Sequence, residues 1–247
     1  MFSAFSTYIF RNYSKNSDRT RLSSELSATS LSSTNKANGS VAANGKANAK
    51  ESFGQVTVRA RAFLDGAYIR LNKTADRHTT EHEWRDVINI GKLDRRALYA
   101  IRTNHGGLFS EAEIKAATLP VEDLLAAASA AADPRGKDPA AAFKASIGVL
   151  DGASTEEKVS LSWITARAKA QWSYENAMRE THPGRIPVTV ETSNPVVDLF
   201  VKAWREFASS KYNSLDSVED TPSWSKAMSL WRIQESKRAD PKAMGSL

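Results

Sequence analysis

Basic side chains interleaved with aromatic ones are the pattern in this sequence with the most direct chemical use. Arg59, Arg61, Tyr68, Arg70, Lys73 and Arg77 form one cluster, and Arg95, Arg96, Tyr99 and Arg102 form another. Guanidinium groups clamp phosphate oxygens and an aromatic ring stacks on a base, which is the chemistry that holds single-stranded nucleic acid. On a helix, Arg95, Tyr99 and Arg102 fall at i, i+4 and i+7 and share one face. A nucleic-acid contact is therefore expected at Arg59, Arg61, Arg70, Lys73, Arg95, Arg96, Tyr99 and Arg102. The competing expectation for these arginines is ion pairing with Asp86, Asp94 or Glu113 on a solvated surface.

A second pattern is His78-Thr79-Thr80-Glu81-His82, which spells H-x-x-E-H. The order resembles the zinc-binding motif of the inverzincins. That resemblance implies His78 and His82 as metal ligands, Glu81 as a base, Glu157 as a third ligand, and a zinc peptidase as the product. The family places apolar residues between the first His and the Glu, where this chain has Thr79 and Thr80. The flanks are polar as well, so the segment reads as exposed and metal-free, with His78, His82 and Glu157 as the alternative. No Walker lysine loop, G-x-G-x-x-G or G-x-S-x-G occurs. The pairs Glu156-Glu157 and Glu219-Asp220 fall at helix starts or in loops, where the helix dipole accounts for them. No catalytic residue, cofactor or small-molecule substrate is expected.

The 247 residues are 41% hydrophobic and 25% charged, ordinary values for a globular protein. There is no cysteine, which removes disulfides, thiolate zinc sites and cysteine nucleophiles. No run approaches the roughly 18 apolar residues of a membrane helix, so no membrane partner is expected. The net charge of +6 is unevenly spread. Residues 1–53 hold seven Lys/Arg against three Asp/Glu, residues 54–110 ten against six, and residues 111–247 seventeen against nineteen. A basic leading part joined to a near-neutral remainder suits a polyanion, because neutralised phosphates release counterions.

Residues 1–53 read as a flexible arm. Within it, residues 1–22 are aromatic, hydroxylated, basic and acid-poor, the composition of an organelle transit peptide. From Ser23 to Ser52, Ser, Ala, Asn, Thr, Gly and Lys dominate, too few large apolar side chains to offset the entropy of ordering. Residues 54–236 form a mostly helical globular part, long enough for one good core or two small ones. Residues 237–247 are a polar, flexible tail.

The fold class expected is mainly α: one helical domain with a small β-hairpin at its N-terminal side, preceded by a disordered arm. Val56, Val58, Ala60 and Ala62 alternate with Thr57, Arg59 and Arg61, and Asp65-Gly66 would turn the chain into Ala67–Leu71. Arg59 and Arg61 would then share a face. Helices follow: one with the stripe Leu93, Ala97, Leu98 and Ile101, one opened by Ser110 and Glu113, and one over Val121–Ala132. The next runs from Asp138-Pro139 to near Gly152. The longest opens at Ser154 with Glu157 and runs through Trp163 and Trp172 to Thr181. A short strand is expected over Ile186–Glu191, then helices capped by Asn194-Pro195 and Thr221-Pro222.

Together these features point to a non-enzymatic, RNA-binding protein that assembles with copies of itself through its N-terminal arm. It would be of the nucleocapsid or filament coat-protein type, cytoplasmic or in a virion. The coat proteins of flexuous filaments are similar in layout alone: a floppy arm, a basic leading part and a helical body. The second reading, carried by residues 1–22, is an imported accessory subunit of a larger complex in the mitochondrial matrix.

Overall fold

The computed structural model describes residues 51–74, 79–187, 192–209 and 215–239. Within them the chain is mainly helical and contains no strand. The helices are α1 (Phe53–Leu71), α2 (Arg95–Arg102), α3 (Glu111–Ala116), α4 (Leu119–Ala132) and α5 (Pro139–Asp151), then α6 (Thr155–Lys158), α7 (Leu161–Thr181), α8 (Pro195–Phe207) and α9 (Pro222–Ala239). None of these is long and apolar enough to cross a membrane. Their contacts separate into two compact units: residues 51–128 with 152–157, and residues 129–151 with those from 158 onward. Most of the arm, up to residue 50, lies outside the described residues.

The expected hairpin is instead the single helix α1. Its start is a capping box in which the Gln55 amide donates to Ser52 Oγ and the Ser52 amide donates to Gln55 Oε1, at 3.3 and 2.9 Å. Val56, Ala60, Leu64, Ala67 and Tyr68 are buried along it. That is a helical stripe of period 3.6, which the same residues satisfy as well as they satisfy the alternation. Asp65-Gly66 sits inside the helix, Asp65 paired with Arg61 one turn earlier at 2.8 Å. The turn that ends α1 falls instead at Asn72, whose φ of 49° is the left-handed conformation Asn tolerates.

In the first unit α1 packs on α2, and α2 on α3. Leu64, Ile88, Ile90, Leu98 and Ile101 are all within 2% of complete burial. A π-helical turn at Glu83–Val87 buries Trp84, whose ring meets Tyr68 edge-on at 6.3 Å.

In the second unit α5 packs on α7, α7 on α8, and α8 on α9. Ile147, Leu150, Ile164, Val196 and Phe200 fill the space between them. The long helix expected from Ser154 is broken into α6 and α7. Ser154 does accept the Glu157 amide, yet Ser160 starts a fresh helix by accepting from Trp163. The Val159 carbonyl at the break accepts from Trp231 Nε1 at 3.2 Å. At the other end α9 runs on to Ala239, into the stretch expected as tail. The strand expected over Ile186–Glu191 falls largely on residues 188–191, outside the described residues.

Substitutions in α1 separate a helix from a hairpin. A methyl group added at Gly66 would meet no atom nearer than 3.6 Å, and the backbone there is helical, so Gly66→Ala should raise stability by about 0.5–1 kcal/mol. In a hairpin turn the same change would lower it. Val56 and Val58 would be equivalent in a strand, but here their exposures are 0% and 64%. Denaturant titration should find Val56→Ala costing about 2 kcal/mol and Val58→Ala within about 0.5.

Candidate functional site

The arginines expected at a nucleic-acid face are placed by α1 and α2, and most of them meet carboxylates of their own unit. In α1, Arg59 and Arg61 lie about 200° apart around the axis, so the shared face of the strand reading is lost. Arg59 reaches Asp94 at 2.8 Å and Glu51 at 3.2 Å. Asp94 is itself the N-cap of α2, accepting the Ala97 amide at 2.8 Å. Arg61 goes to Glu113 at 2.9 Å and to the Leu108 carbonyl at 3.2 Å. Glu113 is fully buried and also accepts from the Tyr68 hydroxyl at 2.9 Å and the Ser110 amide at 2.8 Å. Burial and that hydrogen bond to Glu113 raise the Tyr68 phenol well above its usual range.

α2 does place Arg95, Tyr99 and Arg102 on one face, as their spacing requires. Both arginines converge on a single carboxylate there. Arg95 holds Glu157 through Nε at 2.8 Å and Nη2 at 3.2 Å, and Arg102 Nη1 adds a contact at 3.2 Å. Arg95 and Glu157 are both buried. Arg96 binds Glu156 through Nε at 2.9 Å and donates to the Glu51 carbonyl at 2.6 Å. Burial pushes Glu156 up, but the hydrogen bonds from Arg96, its own amide and Ser154, together with the Arg96 charge, outweigh it and the carboxyl ends below its usual range. The half-buried Tyr99 ring lies 6.0 Å from Phe53. Lys73 pairs with Glu83, which holds that carboxyl down at about 2. Arg70 is exposed in the last turn of α1, where a cation suits the dipole. The competing expectation of pairing at Asp94 and Glu113 is met by Arg59 and Arg61, whereas Asp86 pairs with His82 at 2.7 Å.

Of the alternative zinc set, His78 lies outside the described residues. His82 is exposed, and Glu157 is enclosed by Arg95 and Arg102. Among the described residues no three His, Asp or Glu side chains group as a metal site.

Sequence reasoning does not reach a cleft in the second unit, between α7, α8 and the segment after α7. Its volume is about 660 Å³, and Gln171, Asn176, Arg179, Pro187, Arg205 and Ser209 are among the residues lining it. One wall is a ladder of side chains four residues apart on α7: Arg167, Gln171, Glu175 and Arg179. Arg167, fully buried, binds Asp151 at 2.7 Å and donates to Gln171 Oε1 at 3.3 Å. Gln171 Nε2 donates to Glu175 at 3.0 Å, and Arg205 of α8 grips the same carboxylate at 2.9 and 2.7 Å. Trp172 and Trp204 stack at 5.3 Å and brace α7 against α8. The Lys169 ammonium lies 3.6 Å from the Trp204 ring centre, and burial lowers its pKa to about 8. The four-residue spacing of the ladder is the one signal of it in the sequence. It reads as an ordinary solvated face until Asp151 and Arg205 are brought to it.

Comparison with family models, curated proteins and solved structures finds no match to this chain.

Two outcomes follow from these pairings. Arg95→Ala strands the buried Glu157 carboxylate and should cost about 3–5 kcal/mol, read by denaturant unfolding, whereas replacing Arg95, Arg102 and Glu157 together by apolar residues should restore most of it. An arginine that served only a ligand would leave stability unchanged. Lys169 is depressed in the folded state relative to about 10.4 unfolded, so the unfolded chain binds more protons between those values. Wild type should therefore gain stability over Lys169→Met as pH rises from about 8 to about 10.4, with a flat difference outside that window. Parallel profiles across it would contradict the shift.

Proposed function

We propose that this chain is a non-enzymatic, RNA-binding structural protein that assembles with copies of itself, of the nucleocapsid or filament coat-protein type. The observation that carries the reading is how charge divides once the units are known. Residues 51–128 with 152–157 hold eleven Lys/Arg against thirteen Asp/Glu. Residues 129–151 with 158–247 hold sixteen against thirteen, and residues 1–50 seven against two. The cation surplus thus lies in the arm and the second unit, whereas Arg59, Arg61, Arg95, Arg96 and Arg102 of α1 and α2 are matched within their own unit. A surplus of this kind favours a polyanion through counterion release and requires no base-specific contact.

Self-association is supported by α1, the helix that continues the arm. Its outward side carries Val58, 64% exposed, and Ile69, 79% exposed, eleven residues apart and so on one face. The exposed Asp65 lies between them on that face, so they offer a second copy two separate apolar contacts and not a continuous patch.

The test is binding of the full chain to single-stranded RNA across a salt series, beside a chain lacking residues 1–50. The full chain should bind with little sequence preference and weaken steeply with salt. Each neutralised phosphate adds about 0.7 to the slope, so losing the seven arm cations should flatten it by about 3–5 units. The truncated chain should also sediment as smaller species. Absence of binding at low salt would overturn the RNA reading, and an unchanged oligomer size would overturn the role of the arm.

A further inference from the structure

The geometry points to the α7–α8 cleft as the site where the folded part of the protein holds the phosphodiester backbone of single-stranded RNA. The inference rests on the RNA reading above and gives that reading a location. The cleft offers two guanidinium groups, Arg179 and Arg205, with the Asn176 and Gln171 amides and the Ser209 hydroxyl around the same space. Its one lining carboxylate, Glu175, is already matched: Arg205 contacts both its oxygens and Gln171 donates to one of them. Among the described lining residues the one carboxylate is thus compensated, and the charge of Asp198 on α8 also acts on Arg205.

Arg205 spends two N–H groups on Glu175, and a guanidinium has five, so three are left over from that pair. Arg179 is exposed, and its contacts among the described residues are the Glu175 carbonyl at 3.4 Å and the Asn176 side-chain oxygen. It has no carboxylate partner there, unlike Arg59, Arg61, Arg95, Arg96 and Arg102. Among the described residues its acceptors are neutral, so no carboxylate there competes with a phosphate for its charge. The walls are held by the pair of buried Arg167 with Asp151 and by the Trp172–Trp204 stack, so little ordering of helices is needed on binding. Ala208 and Pro187 supply apolar edges for a ribose or base.

The test uses the full chain and a fluorescent single-stranded oligouridylate in a salt series. Arg179→Ala should leave the melting temperature unchanged, because the side chain is exposed and pairs with no carboxylate. It should lower the log–log salt slope by about 0.7 and weaken binding several-fold. Arg179→Lys should keep the slope, since charge sets it, and Arg179→Glu should weaken binding beyond Arg179→Ala. If wild type binds RNA and Arg179→Ala and Arg179→Glu bind with the same slope and affinity, the cleft is not the site and the RNA reading survives with the arm as its carrier. If wild type fails to bind at low salt, both fall.

Discussion

A carboxylate shut away from water must find its hydrogen-bond donors inside the protein, and the first unit is organised around that requirement. Glu113 and Glu157 are both buried. Glu113 draws Arg61 and Tyr68 from α1 to the N-terminus of α3, and Glu157 draws Arg95 and Arg102 from α2 to α6. Asp94 adds a third tie by capping α2 while holding Arg59 of α1. Such pairs contribute little net stability against an apolar alternative, but a partner removed leaves a desolvated charge behind. They therefore fix which helix faces meet. The same constraint bears on the nucleic-acid expectation for these arginines, because a guanidinium matched to a buried carboxylate has fewer donors and less charge to offer a phosphate.

The second unit meets the constraint differently. Arg167 is fully buried and matched to Asp151, and the ladder from it along α7 passes through Gln171 to Glu175 before reaching the cleft. Matching ends at Glu175, and Arg179 is the next rung. A basic cleft can coexist with a stable helix pair because the charges deep in the ladder are paired and those at its mouth are exposed to water.

The helical character is legible from the periodic stripes and from caps such as Ser110–Glu113 and Asn194-Pro195, which the structure uses where they are expected. α1 reads as a hairpin because Val56–Ala62 satisfies periods of 2 and 3.6 alike and Asp-Gly is a strong turn signal. Ser52–Gln55, a capping box with Gln in place of Glu, is the weaker signal that decides it. The break between α6 and α7 is hidden because Ser154 and Ser160 are both competent caps, and only Trp231, some seventy residues on, reveals the second. The common face of Arg95, Tyr99 and Arg102 follows from spacing alone. Its occupant does not, because Glu157 is brought to α2 from 55 residues or more away in sequence. Charge counted along the chain puts the surplus in residues 1–110, whereas charge counted by unit puts it in the arm and the second unit. The difference arises because Glu111, Glu113, Glu122, Asp123, Glu156 and Glu157 fold back with α1 and α2.

The central claim is that Arg59, Arg61, Arg95, Arg96 and Arg102 hold the fold, while Arg179 and the N–H groups that Arg205 does not spend on Glu175 serve RNA. Arginine footprinting with phenylglyoxal, read residue by residue by mass spectrometry with and without single-stranded RNA, addresses both halves at once. The account predicts that Arg95, Arg96 and Arg102 resist modification in either state, and that Arg179 and Arg205 react in the free protein and are protected by RNA. Reactive Arg95 and Arg102 that become protected on RNA binding, with Arg179 and Arg205 indifferent to it, would contradict the account.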